Sequence, residues 1–289
     1  MSLPVEYYSN SYLMPSFNQA TGPGTFLGIV GTQTDTQVSI SLKGQQSQNA
    51  VLNQGTVWYN YNNDKVDVSG SFINASKPIG VFSNIVCTTI DPNCSPFSDM
   101  VIPLRDYSKN FIIPHFPGIQ NGLIRVYFKG TCDVISYDTS LSQSVVHSLG
   151  DNNFVEIAIH SSNITSLTST CMSTIQLYGP HTFPFMTLIP GVDKYLPQYH
   201  FAAPDNSELL ITIPSSHVSD FRLDGPKLGT PLIPLTFNVP FENREKYAIF
   251  SVQVKKGSHK AETVTGTSFG LWIYGDGFAF PAGYKMLLN

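Results

Sequence analysis

Thr36-Gln37-Val38-Ser39-Ile40-Ser41-Leu42 sets Val38, Ile40 and Leu42 in alternation with Gln37, Ser39 and Ser41. A period of two is the mark of a strand with one wet face and one buried face. Phe26-Leu27-Gly28-Ile29-Val30 precedes it, and Thr32 to Asp35 supplies the turn between them. Further alternating runs occur at Gly122 to Phe128, Phe154 to Ile159, Leu209 to Ile213 and Phe250 to Val254. β-Branched and aromatic residues fill these runs, and Gly, Pro, Asn or Asp bound them. No segment gives a convincing helix; Glu242-Asn243-Arg244-Glu245-Lys246 offers one turn at most. Short strands at short spacing predict an all-β chain of antiparallel sandwiches rather than an α/β fold.

The strands recur in three similar blocks. Glu6-Tyr7-Tyr8 leads to Tyr12-Leu13-Met14-Pro15, Asp106-Tyr107-Ser108 to Phe111-Ile112-Ile113-Pro114, and Asp193-Lys194-Tyr195 to Tyr199-His200-Phe201-Ala202-Ala203-Pro204. The proline ends hydrogen bonding and suits a strand exit. The block ends also match. Ser76-Lys77-Pro78-Ile79-Gly80-Val81-Phe82-Ser83 resembles Thr267-Ser268-Phe269-Gly270-Leu271-Trp272-Ile273-Tyr274-Gly275. The bare Gly in each lets a neighbouring element come close. Thr174-Ile175-Gln176-Leu177-Tyr178-Gly179 is a weaker third copy. The expected organisation is three small β-sandwich repeats, at 1–98, 99–183 and 184–289, packed together through short connectors.

Composition narrows the function. Charged residues are 12 % of the chain while hydrophobic residues are 42 %, so a core is affordable and disorder is disfavoured. Ser, Thr, Asn and Gln replace surface charge, as in many extracellular β-proteins. The net charge is −4 and the 16 basic residues are scattered, which argues against nucleic-acid binding. No apolar run reaches membrane-spanning length. Met1-Ser2-Leu3-Pro4-Val5-Glu6 lacks the basic start and apolar stretch of a signal peptide. That fits a processed chain or an excised segment better than an intracellular protein.

Cys87 and Cys94 flank the turn Asp91-Pro92-Asn93, and Cys132 and Cys171 lie near the two ends of the middle block. Of the three pairings that four cysteines allow, 87–94 with 132–171 is the most local and respects the block boundaries. Chain entropy gives roughly 2–3 kcal/mol for the short loop and about 4 for the long one. Four buried free thiols is the alternative, and the spacing does not suit zinc. Asn74-Ala75-Ser76 and Asn163-Ile164-Thr165 fit the N-glycosylation pattern.

Candidate sites are sparse. The seven histidines include no H-E-x-x-H and no close ligand pair, so no metal site is assigned. His115 and His200 end related strands and read as half-exposed filler. No G-x-S-x-G elbow is present, and no pair of carboxylates is singled out for glycosidase chemistry. Turn oxygens at Asp91 with Asn93, at Asp151-Asn152-Asn153 and at Asp276 do not fit the twelve-residue calcium loop. The aromatic groups Tyr7, Tyr8 and Tyr12, and Trp58, Tyr59 and Tyr61, are candidate binding patches; the competing reading is that they plug sandwich ends and seams.

In this order the motifs resemble the IgG-Fc-binding protein N-terminal domain family. Leu3-Pro4, the Tyr7–Tyr12 opening, Thr34-Asp35-Thr36 through Ile40, Leu52-Asn53-Gln54-Gly55 and Ser76 through Ser83 carry the likeness. Cys87, Cys94, Pro103, Tyr107 and Phe111 to Pro114 continue it. Val218-Ser219-Asp220-Phe221-Arg222-Leu223-Asp224-Gly225, Gly257-Ser258-His259 and Phe269-Gly270 to Tyr274-Gly275 complete it. The resemblance implies extracellular or cell-surface residence, adhesion or mucus association, and no cofactor. The expected function is a non-catalytic adhesion or ligand-binding module with a protein or glycan partner. A structural spacer that self-associates or abuts neighbouring domains is the alternative, and a carbohydrate-active enzyme a more distant one.

Overall fold

The computed structural model describes residues 3–17, 25–62, 67–85, 97–117, 121–139, 142–147, 153–160, 164–179, 185–225, 235–239, 241, 245–275 and 277–288. The alternating runs become strands, and every strand pairing is antiparallel. In the first unit these are β1 (Ser9–Leu13), β2 (Thr25–Gly31), β3 (Thr36–Ser41), β4 (Gln48–Leu52), β5 (Val57–Asn62), β6 (Phe72–Ile85) and β7 (Phe97–Met100). Strand β3 is buried at Thr36, Val38 and Ile40 and exposed at Gln37, Ser39 and Ser41.

The long strand β6 organises the unit. Its first half pairs with β1 and β3, through Tyr12↔Ile73 and Ile40↔Ile73. Its second half pairs with β2 and β7, through Ile29↔Val81 and Phe82↔Met100. Strand β4 extends the first half outward from β3, and β5 extends the second from β2. The sheet curls on itself, so Val38 and Ile40 from one leaf share a core with Leu27, Ile29 and Val81 from the other.

The second unit repeats this plan strand for strand. It comprises β8 (Ser108–Ile112), β9 (Asn121–Phe128), β10 (Val134–Asp138), β11 (Gln143–His147), β12 (Phe154–His160), β13 (Ile164–Gly179) and β14 (Phe185–Ile189), with β13 in the place of β6. A disulfide joins Cys132 to Cys171 in this unit. Cys87 and Cys94 lie outside the described residues.

The third unit departs from the plan in two ways. It holds β15 (Gln198–Ala203), β16 (Ser207–Pro214), β17 (Phe221–Leu223), β18 (Leu235–Asn238), β19 (Lys246–Val254), β20 (Gly257–Thr263), β21 (Gly270–Gly275) and β22 (Phe278–Pro281). The central strand is broken in two: β20 serves β15 and β17, while β21 serves β16 and β22. A turn closed by the Gly266 amide on the Thr263 carbonyl, with Gly266 at φ +74, separates the halves. Strand β18 pairs with β19, whereas β4 and β11 pair with β3 and β10.

Each unit opens on a 3-10 turn, Val5–Tyr7, Leu104–Asp106 or Val192–Lys194, followed by a buried tyrosine, Tyr8, Tyr107 or Tyr195. Pro4 and Pro103 enter the first two turns at φ −60 and −64, the angle a proline ring imposes. Gly191 enters the third because a Cβ there would stand 2.2 Å from that of Ser108. Gly80 and Gly270 make room for the same tyrosines. A Cβ would meet the Tyr8 ring at 2.7 Å in one case and the Tyr195 ring at 2.7 Å in the other. Four residues after each wedge, Tyr12 and Tyr199 repeat a bracket. The Tyr12 hydroxyl accepts the Ser9 amide at 2.8 Å and donates to the Ile79 carbonyl at 2.6 Å. The Tyr199 hydroxyl accepts the Leu196 amide at 3.1 Å and donates to the Phe269 carbonyl at 2.5 Å.

The units are locked together. The Ser16 carbonyl of the first accepts hydrogen bonds from Arg125 at 2.7 Å, Tyr127 at 2.9 Å and Tyr178 at 3.2 Å of the second. Arg125 also reaches Asp67 at 2.7 Å and Glu156 at 2.8 Å, and lies over Phe17 and Phe154. Trp272 and Tyr274 of the third unit donate to the Leu188 and Pro117 carbonyls of the second. After β22 the chain runs back across the others. Lys285 donates its amide to Lys194, Leu287 donates to the Asp106 carboxylate at 2.8 Å, and Tyr284 packs among Leu3, Tyr8 and Met100.

Replacing Arg125 by Met should cost about 2–3 kcal/mol in urea unfolding. That is below the ~3–5 kcal/mol of a fully buried pair, because the Glu156 side chain is 48 % exposed. A loss under about 0.5 kcal/mol would show that this junction contributes little to stability.

Candidate binding surface

Strand β5 lies at the edge of its sheet, and its sequence Val57-Trp58-Tyr59-Asn60-Tyr61 decides what that edge presents. Trp58 turns inward and packs against the first unit's core. Tyr59 and Tyr61 turn outward and are 66 % and 46 % exposed, with Val57 beside them. One strand in, Gly28 pairs with Tyr59 on one side and Phe82 on the other. Gly28 carries no side chain, so the Phe26 ring leans over it and stacks on Tyr59 at 5.7 Å and 14°. Phe26 and Phe82 are half-buried. Beyond Phe82 the strip runs into the cluster of Leu3, Tyr8, Met100, Tyr284 and Met286. Neither β2 nor β5 contains a charged residue. The result is an uncharged aromatic strip on an open sheet face.

The two aromatic groups singled out in the sequence therefore separate. Tyr8 and Tyr12 are buried, at 9 % and 1 % exposure, and do not form a patch with Tyr7. Burial pushes both hydroxyls up, well beyond their ordinary titration range for Tyr12. Tyr7 is half-buried and gives its carbonyl to Arg105. In the second group, Tyr59 and Tyr61 share a surface and Trp58 does not. Phe26 and Phe82 give no such signal in the sequence because they sit on different strands, and only the register brings them beside Tyr59. Asn74 is exposed on β6, while Asn163, Asp91, Asn93, Asp151, Asn152 and Asp276 lie outside the described residues.

Side chains able to carry proton chemistry gather in the third unit. His217 Nδ1 lies 2.8 Å from Asp220 Oδ2, and the Thr265 hydroxyl donates to the same oxygen at 3.0 Å. A hydrolytic relay places acid and nucleophile on opposite nitrogens of the imidazole. Here both face Nδ1, and the hydroxyl spends its proton on the carboxylate. His259 has Nδ1 2.8 Å from Asp224 Oδ2 and Nε2 2.7 Å from the Lys255 carbonyl. Two acceptors on one ring favour the doubly protonated form. The hydrogen bond to Asp224 accordingly raises the His259 pKa, partly offset by burial. Burial opposes ionisation of Asp224, but the Lys260 amide and His259 hold its carboxyl below its usual range. Among the described residues no three His, Cys, Asp or Glu side chains gather to hold a metal ion.

A sequence profile described as IgGFc binding protein matches residues 1–275. The chain belongs to that family. The human protein named "IgGFc-binding protein" is 22 % identical over 293 aligned residues, covering 94 % of this chain. The chain spans about 5 % of that relative's length.

Two measurements follow from these placements. Tyr12→Phe strands the Ser9 amide and the Ile79 carbonyl, and should cost about 1–3 kcal/mol in urea unfolding. Tyr59→Ala should stay within about 0.5 kcal/mol of the parent. Equal losses from the two would contradict the assignment of one tyrosine to the interior and the other to the surface. His259, with its pKa raised, stabilises fully below the unfolded value of about 6.5, and loses this as pH rises through its folded value. Asp224, with its pKa lowered, stabilises above about 3.8 and loses this as pH falls through its folded value. The melting-temperature gap between the parent and His259→Gln should therefore be wider at pH 5.5 than at pH 8.5, and an equal gap would refute the pairing.

Proposed function

We propose that this chain is a non-catalytic, extracellular protein-binding module, and that the aromatic strip of the first unit is its contact face. The carrying observation is the exposure of Tyr59 and Tyr61, backed by Phe26 and Phe82, on a sheet face whose β2 and β5 strands have no charge. Tyrosine supplies broad, rigid contact area at low entropic cost, and such anchors dominate protein interfaces. Membership of the family and the name of the human relative make the Fc region of immunoglobulin G the first partner to test. The Cys132–Cys171 disulfide supports an oxidising compartment.

The locking of the three units through Arg125, Trp272 and the C-terminal segment supports a second reading, a rigid spacer in a longer adhesive protein. The two readings separate in one experiment. The purified chain is passed over immobilised Fc and, as control, Fab. The binding reading expects selective retention on Fc, weakened about tenfold or more by Tyr59→Ala with Tyr61→Ala. No retention of a chain that melts cooperatively would remove Fc as partner. Undiminished retention of the double variant would remove the strip as the contact face.

A further inference from the structure

The opposite leaf of the first unit carries a different surface. Strands β4, β3 and β6 lie side by side there, with Asn49 opposite Ser39 and Ser39 opposite Asn74. Gln37, Ser39, Asn49, Val51, Asn74 and Ser76 line a shallow concavity of about 610 Å³. All of them are uncharged. Strand β4, Gln48-Asn49-Ala50-Val51-Leu52, is the outer edge of this leaf and contains neither charge nor proline. Val51 on it is 67 % exposed. Bare edges of this kind invite pairing with another chain, and proteins ordinarily blunt them with charge, proline or a cover.

Asn74 stands in the floor of this concavity, two strands in from the edge. Its Oδ1 accepts the Ser11 hydroxyl at 2.9 Å, and among the described residues no acceptor holds its amide nitrogen. Asn74-Ala75-Ser76 is an acceptor sequence for N-glycosylation. In the folded chain Ser76 Oγ is occupied by the Gln37 amide at 2.9 Å, which suits transfer to the chain before this leaf closes.

We infer that Asn74 carries an N-linked glycan whose first sugars lie in the concavity over β3 and β4 and cover the uncharged edge. The donor is a polyprenyl-diphosphate-linked oligosaccharide. The Asn74 amide nitrogen bonds to C1 of its reducing-end N-acetylglucosamine. The C1–oxygen bond to the diphosphate breaks, the nitrogen gives up one proton, and polyprenyl diphosphate leaves. Neutral amide and hydroxyl side chains hydrogen-bond sugar hydroxyls at no charge-desolvation cost. Glycan cover takes the place of the charged residues this edge lacks. The inference rests on the extracellular reading, because the donor and its transferase belong to the secretory pathway.

The test expresses the full chain behind a cleavable signal sequence in human cells and recovers both the medium and the cell-retained pool. Release of glycans by peptide-N-glycosidase in heavy-oxygen water converts an occupied Asn74 to a labelled aspartate, read by peptide mass spectrometry. Label at Asn74 in the parent and in Ser76→Thr, and its loss in Ser76→Ala, is the expected result. An unlabelled Asn74 in both pools of the parent overturns the inference and leaves the extracellular reading standing if the medium contains the chain. Label confined to the retained pool, with nothing in the medium, upholds the site and counts against that reading. Light scattering against concentration tests the cover. The Ser76→Ala chain should self-associate, Ser76→Thr should not, and adding Val51→Lys to Ser76→Ala should restore the monomer. A Ser76→Ala chain that stays monomeric at every concentration sinks the shielding role.

Discussion

The architecture depends on one backbone constraint: a central strand must satisfy its amides and carbonyls on both sides along its whole length while changing partners midway. Strand β6 pairs with β1 and β3 over its first residues and with β2 and β7 over its last. Strand β13 does the same with β8, β10, β9 and β14. The change of partner curls a single sheet into two facing leaves and creates an inside. The register shift between Ser9 and Ser11 in β1 marks the bend, and Tyr12 repairs it by joining the Ser9 amide to the Ile79 carbonyl. Tyr199 makes the equivalent repair in the third unit, although its central strand is broken there. The second unit has Phe111 at this position, with no hydroxyl to give, and a Thr174 where the others have glycine. It closes the same region with serines: Ser169, Ser173 and the Ser108 carbonyl hydrogen-bond in series.

Once each unit is closed, the remaining question is where the surplus aromatic rings go. The second unit sits between two neighbours, so its outward groups are used at seams. Tyr127 and Tyr178 meet on the Ser16 carbonyl, with Arg125 over the ring of Phe17. The third unit contributes Trp272 and Tyr274 to the second unit's core. Burying a guanidinium requires partners on nearly every donor, and Arg125 has carboxylates, a carbonyl and a hydroxyl around it. The first seam thus combines this polar cluster with apolar packing of Phe17, Ile85 and Phe97 on Tyr178 and Met186, while the second is built on Trp272 and Tyr274 set in the second unit's core.

The fold was legible because period-two alternation survives single-residue noise. The similar openings and endings along the chain share one steric device. A proline or a crowded glycine precedes each 3-10 turn, and a bare glycine admits the wedge tyrosine behind Ile79 and Phe269. What was not legible was long-range register. Nothing local distinguishes Tyr12, whose ring is buried, from Tyr59, whose ring is exposed. Both sit in short aromatic runs, and the difference lies in which strand covers each. The transfer of β18 from one leaf to the other was equally invisible, since a four-residue strand carries no mark of its partner. The His217–Asp220–Thr265 cluster likewise required the turn between β20 and β21 to bring residue 265 back against residue 217.

These constraints also explain why an open aromatic face arises in the first unit. The second unit turns its comparable face, with Arg125, Glu156 and Gln176, to the first, and the third is committed to the second through β21 and to both through the C-terminal segment. The first unit meets the second through Ser16, Phe17 and Asp67. It meets the C-terminal segment through Leu3, Tyr8 and Met100. These contacts lie away from β5, at the far edge of the sheet from β7. An edge strand that no described residue of another unit covers can keep tyrosines outward without cost to the core, because Trp58 beside Tyr59 supplies the inward anchor. Alternation along one strand therefore settles both demands at once: the inward residue holds the sheet, and the outward ones remain available for contact.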